Sequence, residues 1–322
     1  MTRHWYAYAR HALVDAFVLA GVQPGDSVLL PRFICRDVLA TLRRVGATPV
    51  WYDVPPTLVV TDSARWPSAR AVLAVNYFGF AQALAPFRAY CDRTGAVLIE
   101  DNAHGWLSRD AHGSPLGERA SLGITSTRKT IRSLDGAYLF VADGVHVSEA
   151  VALPGPLDVD DRPVPTGVRI RSVVARVARV TRLPLMNLMR AAVRLARRTA
   201  GRPPIPDTAY LEREIPPGRN IHRTSRALIA ALDTDAEVRR RRRLYANVNE
   251  RLRNGPGAPV FASLGDGTCP QGYPLIADES QLPAIRRALR GTGLEVTTWP
   301  DLPSTATDVP DFYRHVRLVN FL

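Results

Sequence analysis

The sequence predicts an α/β fold with a largely parallel sheet, followed by a smaller α+β unit, and three observations carry that reading. Short apolar runs alternate with amphipathic helical patterns as far as Ala142, the habit of strand–helix–strand units. Two of the helical patterns stop at a glycine, Gly46 and Gly95, where a left-handed C-cap is expected. A second, shorter alternation of strand and helix patterns returns only after a long basic stretch marked by prolines.

Taken in order, strands are expected at Ser27 to Leu30, Pro49 to Asp53, Ala71 to Tyr77, Ala96 to Glu100, Leu122 to Ser126 and Ala137 to Ala142. Helices are expected at His11 to Ala20, Cys35 to Val45 and Leu84 to Thr94. Beyond Pro216-Pro217-Gly218 a long helical stretch runs from about Thr224 to Asn254. The tail then reads as a strand (Tyr273 to Ala277), a helix (Gln281 to Arg290), a strand (Leu294 to Trp299) and a helix from Asp311 onward. The expected division is a large unit, 1–165, a basic helical connector, 166–219, and a small C-terminal unit, 220–322.

Composition narrows the function classes. With 322 residues, 46% hydrophobic and 22% charged, the chain has ample material for a buried core and is neither a disordered tail nor a fibre. Cys35, Cys91 and Cys269 lie far apart without a Cys-x-x-Cys or Cys/His cluster, so no disulfide framework and no metal site is expected. No segment offers the ~18 apolar residues of a membrane span, and the N-terminus does not fit a signal peptide. A cytoplasmic protein is the expectation.

The net charge of +12 is local: Arg162 to Arg202 holds eleven arginines and no acid, leaving +1 for everything else. Amphipathic helices broken at Pro184 account for it either as connecting helices with one solvated face or as a weak membrane-surface contact through Arg169 to Arg198. Nucleic-acid binding is not expected, because no zinc-finger or aromatic RNA-binding signature accompanies the charge. A second run, Arg239 to Arg243, reads as mostly a solvated helix face.

Of the 42 basic residues, 41 are arginine and one is Lys129. A lysine amine can lose its proton and attack a carbonyl, whereas a guanidinium cannot, and Schiff-base chemistry is the main use of that difference. Lys129 follows Thr125-Ser126-Thr127-Arg128 at the end of an expected strand, the edge where sites form in open α/β sheets. A second expected strand ends in Glu100-Asp101-Asn102-Ala103-His104, where a carboxylate can face the ring nitrogen of a pyridine cofactor. On composition alone a surviving exposed lysine explains the count equally well, and a strand-end acid can be a helix cap.

Together these segments resemble the DegT/DnrJ/EryC1/StrS aminotransferases. The resemblance rests on Arg10-His11-Ala12-Leu13, Gly25-Asp26-Ser27-Val28, Asn76-Tyr77-Phe78-Gly79, Glu100 to Gly105, Ser126-Thr127-Arg128-Lys129 with Asp135-Gly136, Asn220, and Gly272-Tyr273-Pro274. It implies a fold-type I pyridoxal-phosphate transferase, with a mixed, mostly parallel sheet in the large domain and a small α+β C-terminal domain. It implies that Lys129 forms the Schiff base, Asp101 holds the pyridinium, and His104 faces the phenolic oxygen. The phosphate would sit at Arg10 and His11 on a helix start, assisted by Thr125 or Ser126. Asn220 would reach the cofactor of a second subunit, which implies a homodimer with shared sites.

The activity that the resemblance implies is transfer of an amino group from a donor such as glutamate to a keto-sugar, nucleotide-linked as is common in the family. The alternatives left open are an impaired homologue that retains the cofactor, a related lyase, and a peripheral membrane or polyanion-binding protein. The sequence also departs from the family pattern. Ile124 stands where a serine is usual, Cys35 stands at the ring-stacking aromatic with Phe33 nearby, and both ends are expected to be short.

Overall fold

The structure is a computed structural model, and it describes residues 1–145, 151–164, 166–167, 174, 192–193, 195–196, 199–201 and 208–322. Most of the arginine-rich stretch from Arg169 to Arg198, and with it the expected membrane contact, lies outside the described residues. Among the described residues no helix is long and apolar enough to cross a membrane.

A seven-stranded sheet takes its strands from the first 141 residues: β1 (Thr2–Tyr6), β2 (Ser27–Pro31), β3 (Thr48–Tyr52), β4 (Ala71–Val75), β5 (Val97–Asn102), β6 (Leu122–Ser126) and β7 (Ala137–Val141). The order is β1-β7-β6-β5-β4-β2-β3. The pairs from β3 through β6 are parallel, while β7 runs antiparallel to both β6 and β1. Every residue of β4, β6 and β7 is buried, as a sheet covered on both faces requires. Helices α1 (Ala9–Leu19), α2 (Val38–Val45) and α3 (Ala85–Thr94) connect the strands, and Gly46 and Gly95 take the left-handed C-cap conformation at φ 73° in both.

The six strands expected in this half all form, with ends shifted by at most a few residues. Strand β1 was not expected, since its alternation Thr-Arg-His-Trp-Tyr is polar and only Tyr6 is fully buried. It is fixed by five register pairs with β7.

The second half departs further from expectation. The single long helix from Thr224 is two, α4 (Arg223–Ala230) and α5 (Thr234–Leu252). Asp233 ends the first path by capping the second, its carboxylate accepting from the Ala236 N–H at 2.9 Å. The strand β8 (Ala258–Pro259), β9 (Gly272–Ile276), helix α6 (Leu282–Ala288), β10 (Glu295–Thr298) and β11 (Val316–Asn320) follow, the strands in the order β10-β11-β9-β8. The helix expected from Asp311 is only a short turn, Asp311–Arg314, after which the chain becomes β11, a central strand. Pairing with β9 on one side and β10 on the other outweighs the local helical signal.

The arginine run on α5 is not a solvated face. Arg241 lies on the inward stripe with Tyr245, Val248 and Leu252 and is fully buried. Its guanidinium donates to the carbonyls of Pro270 (3.0 Å), Gln271 (2.9 Å) and Thr130 and to Glu237 (2.8 Å). Arg242 donates to the carbonyls of Gly265, Asp266 and Thr268. Five donors in a planar fork can satisfy several carbonyls at once, which a lysine cannot. Arg239 and Arg243 alone of the run are exposed. Removing the fork in Arg241→Ala takes the guanidinium from three carbonyls and leaves Glu237 to Arg240 alone, and a loss of about 3 kcal/mol is expected from the broken buried ion pair and hydrogen bonds. Urea unfolding measures it; a loss under about 0.5 kcal/mol, the range of an ordinary surface change, would contradict this account.

Candidate active site

Strands β2, β4, β5 and β6 end on one edge of the large sheet, and a pocket opens there. Side-chain alternation decides which residues face it. On β5, Glu100 turns into the protein with no exposure, so Asp101 turns toward the pocket. On β6, Ile124 and Ser126 line the pocket, while Thr125 between them faces the other way and its hydroxyl meets Asn102 Nδ2 at 3.4 Å.

Glu100 anchors this edge. Its carboxylate accepts from the Arg119 N–H, Nε and Nη2 at 2.6–2.9 Å and from Asn76 Nδ2 at 2.8 Å. Arg119 Nη2 also reaches Asn76 Oδ1 at 2.9 Å, which ties the ends of β4 and β5 to the loop before β6.

Lys129 projects from a tight turn, Thr127–Lys129, at the end of β6. The turn is pinned on two sides. The Thr127 N–H donates to the Gly136 carbonyl at 3.0 Å, and the Thr130 carbonyl is the one held by Arg241. Gly136 sits at φ 131°, and a Cβ there would lie 2.3 Å from Thr127 Oγ1, so no other residue fits this close approach.

Lys129 Nζ lies 3.2 Å from His104 Nε2. Burial and the neighbouring Lys129 hold His104 well below the usual imidazole range, so it stays uncharged. The charge change that histidine allows in principle near neutral pH is therefore absent here. Asp101 is buried, forms no ion pair among the described residues, and accepts from the Ala103 N–H at 2.8 Å. Burial raises its carboxyl from the usual 3.8 to about 6, against the opposing pull of the Ala103 N–H and Lys129.

Five of the residues expected at the site meet in this pocket: Arg10, Asp101, His104, Ser126 and Lys129. His11 does not. One position further round α1, its Nε2 contacts the Pro216 carbonyl at 2.9 Å. Thr125 is turned away as described, and Asn220, half-buried, lies outside the pocket of its own chain. Arg10 reaches Asp37 (3.6 Å) and the Glu214 carbonyl (3.3 Å), and Arg128 stacks over Tyr8 at 5.4 Å.

Phe33, the nearby substitute for a ring-stacking aromatic, is fully buried in a cluster with Tyr77 and Tyr313 and does not line the pocket. The aromatic in the wall is Trp299, from the end of β10, edge-on to His104 at 4.8 Å. Nothing in the local sequence placed Trp299 there, because it arrives through packing of the second sheet. Cys35 lines the pocket as a neutral thiol, pushed up to about 12 by burial.

A protonated pyridine with a phosphate tail fits what these residues lack. Asp101 is a buried carboxylate without a cation, and α1 begins at Ala9 without a capping side chain, leaving backbone N–H groups for an anion. Among the described residues no group of His, Cys, Asp and Glu could hold a metal ion.

Residues 7–153 match the sequence profile of the DegT/DnrJ/EryC1/StrS aminotransferase family. Over this stretch, less than half of the chain, the sequence is similar to that family. Among curated relatives, it is 30% identical over 143 residues to an L-glutamine:2-deoxy-scyllo-inosose aminotransferase of Streptomyces kanamyceticus, covering 42% of this chain and 33% of the relative. It is 31% identical over 127 residues to a dTDP-4-dehydro-2,3,6-trideoxy-D-glucose 4-aminotransferase of Saccharopolyspora spinosa, covering 37% and 33%. The matched stretch thus spans about a third of the length of each relative.

The fold likeness extends much further than the DegT-family match in sequence. Helicobacter pylori PseC, an aminotransferase, aligns over 99% of this chain and 81% of its own, with a TM-score of 0.62 at 14% identity. S. venezuelae DesV, solved with a ketimine intermediate, aligns over 99% and 79%, with a TM-score of 0.61 at 18% identity. These likenesses establish the fold-type I architecture throughout, including the second sheet. The DegT-family segment carries every expected site residue except Asn220, whereas Trp299 and Arg241 lie beyond it.

The raised Asp101 carboxyl has a signed consequence for stability. Between pH 3.8 and about 6 the folded chain holds a proton that the unfolded chain has lost, so stability falls as pH rises through that window and is level above it. The loss amounts to about 3 kcal/mol for a shift of this size. In protein freed of cofactor, Asp101→Asn is expected to match the wild type near pH 4 and exceed it by up to about that amount at pH 7. Urea unfolding at both pH values checks this, and an equal difference at the two would count against a buried, cation-free carboxylate.

Proposed function

We propose that the chain is a pyridoxal-phosphate-dependent aminotransferase that passes an amino group from a donor such as glutamate to a keto-sugar. The observation that carries this reading is Lys129, the sole lysine of the chain, facing a pocket between a buried carboxylate and an uncharged imidazole. A general cation would serve there as arginine, which this chain uses everywhere else.

Bound pyridoxal phosphate supplies an electrophilic carbonyl and an electron-withdrawing ring. Asp101 would hold a proton-bearing ring nitrogen and keep it charged. Backbone N–H groups at the start of α1, with Ser126 and Arg10, would hold the phosphate. His104 would meet the phenolic oxygen, and Trp299 would stand in the wall where Cys35 supplies no ring. Lys129 would hold the cofactor through its amine and would carry a proton to and from the substrate carbon at Nζ.

A carbonyl on a sugar or cyclitol ring as acceptor is supported by the names of the relatives above. The same reading places the protein in the cytoplasm as a homodimer, with Asn220 serving the neighbouring subunit. It divides the chain at residues 165 and 220, a division supported by the separate large and small sheets.

Incubation with pyridoxal phosphate is expected to produce a visible absorbance band, and borohydride reduction is expected to leave the cofactor on the peptide containing Lys129. Lys129→Arg, folded by circular dichroism, should lose both. Adduct recovered elsewhere, or none in the wild type, would sink the reading. Trp299→Ala is expected to weaken cofactor affinity about tenfold, the order of one lost aromatic contact of ~1.5 kcal/mol, with Trp299→Phe nearer the wild type. Equilibrium titration of the absorbance measures it.

A further inference from the structure

The pocket contains one contact that the proposed reaction does not by itself require. The backbone N–H of Phe78 points at His104 Nδ1, 3.3 Å away, on the side of the imidazole opposite Lys129. Phe78 is a buried non-glycine residue at φ 56° and ψ 18°, in the left-handed region. That conformation is unfavourable for a bulky residue and persists only where the surroundings impose it. The turn is held from outside, since the Phe78 carbonyl accepts from the Gln271 N–H at 2.8 Å and the Phe80 N–H donates to the Tyr77 carbonyl at 2.9 Å. The Phe78 ring lies parallel to the imidazole, with centroids 5.7 Å apart and planes 12° from parallel. Trp299 stands across both rings at 4.8 Å.

A neutral imidazole has one donor and one acceptor nitrogen. An N–H aimed at Nδ1 needs an acceptor there, which leaves the ring proton on Nε2. We propose that the main chain of Phe78 sets the tautomer of His104, making it a fixed hydrogen-bond donor through Nε2 toward Lys129 and toward any oxygen bound beside it. Phe78 is then a positioning residue, acting through His104 rather than on substrate.

The alternative arrangement is exclusive of this one. If Nε2 instead accepted a hydrogen bond from Lys129, the ring proton would sit on Nδ1, facing the Phe78 N–H donor to donor. An imidazolium would face the same clash. The titratable groups on this pocket besides His104 are Lys129, Asp101, Asp37, Cys35, Tyr8, Arg10 and Arg128, and of these Lys129 is the one in contact with the ring. With Nε2–H as donor, Lys129 can accept it only as the unprotonated amine, through the lone pair that attacks a carbonyl. His104 cannot then serve as the base of the reaction.

The inference deepens the proposed function at the same site, but its test needs no cofactor and no turnover, so the two can fail separately. The full chain, labelled with ¹⁵N-histidine and free of cofactor, is examined by correlations between the imidazole carbon-bound protons and both ring nitrogens. His104→Gln assigns the signals. A protonated, pyrrole-type Nε2 and an unprotonated, pyridine-type Nδ1 are expected, unchanged from about pH 8 to about pH 5.5, a range spanning the ordinary imidazole value. Lys129→Met separates the two possible causes. If Phe78 sets the tautomer, it persists without the amine, and a switch to the Nδ1–H form in that variant would overturn the proposal. So would an Nδ1–H form, or titration within the range, in the wild type.

Discussion

The buried pair of Glu100 and Arg119 is the interaction on which the site's geometry rests. Glu100 has no contact with water and is neutralised on its spot by one arginine that offers its backbone N–H as well as its guanidinium. Taking two such charges out of water is costly, and the arrangement holds only because each remaining polar atom finds a partner, including Asn76. Its main yield is registration. Because neighbouring side chains on a strand point to opposite faces, fixing Glu100 inward fixes Asp101 outward, at the mouth of the sheet. The same ties hold the end of β4, so the turn that carries Phe78 starts from a fixed position.

The legible part of the site was the part encoded by local pattern. Lys129 stood out because amine chemistry cannot be delegated to arginine, and Asp101 stood out because it ends an apolar run. The strand alternation that decides between Ser126 and Thr125 was also present in the sequence, but the exact end of β6 was needed to apply it. His11 shows the corresponding limit for helices: adjacent residues point about 100° apart, and which of the two faces the pocket depends on how α1 packs. Trp299, Phe78 and Arg241 were illegible for a different reason. Each acts through a contact made across long sequence separation, and nothing nearby in the chain announces the partner. Strand β11 belongs with them, since a helical turn signal at Asp311 was overridden by two neighbours in the sheet.

The halves of the chain preserve different things. The first keeps enough sequence to match the family over residues 7–153, and it holds the reactive amine, the carboxylate and the imidazole. The second shares the shape, as the alignment of 99% of the chain with PseC and DesV shows, while the family match in sequence ends at residue 153. Chemistry constrains residue identity, whereas a wall or a clamp constrains only volume and donor geometry, and those demands admit more solutions. Cys35 and Trp299 illustrate the trade within one pocket: the usual aromatic position is a thiol, and an aromatic side arrives from the other half.

The Arg241 clamp and the Trp299 wall both belong to the second half, and they meet the site at opposite ends of one short lever. Arg241 grips the carbonyl directly after Lys129, while Trp299 leans on the imidazole that Lys129 touches. Arg241 reaches the site from α5 and Trp299 from the end of β10, and α5 packs on β9 of the same small sheet. The wall of the pocket and the backbone beside the amine are therefore both held from the half of the chain that lies outside the family match.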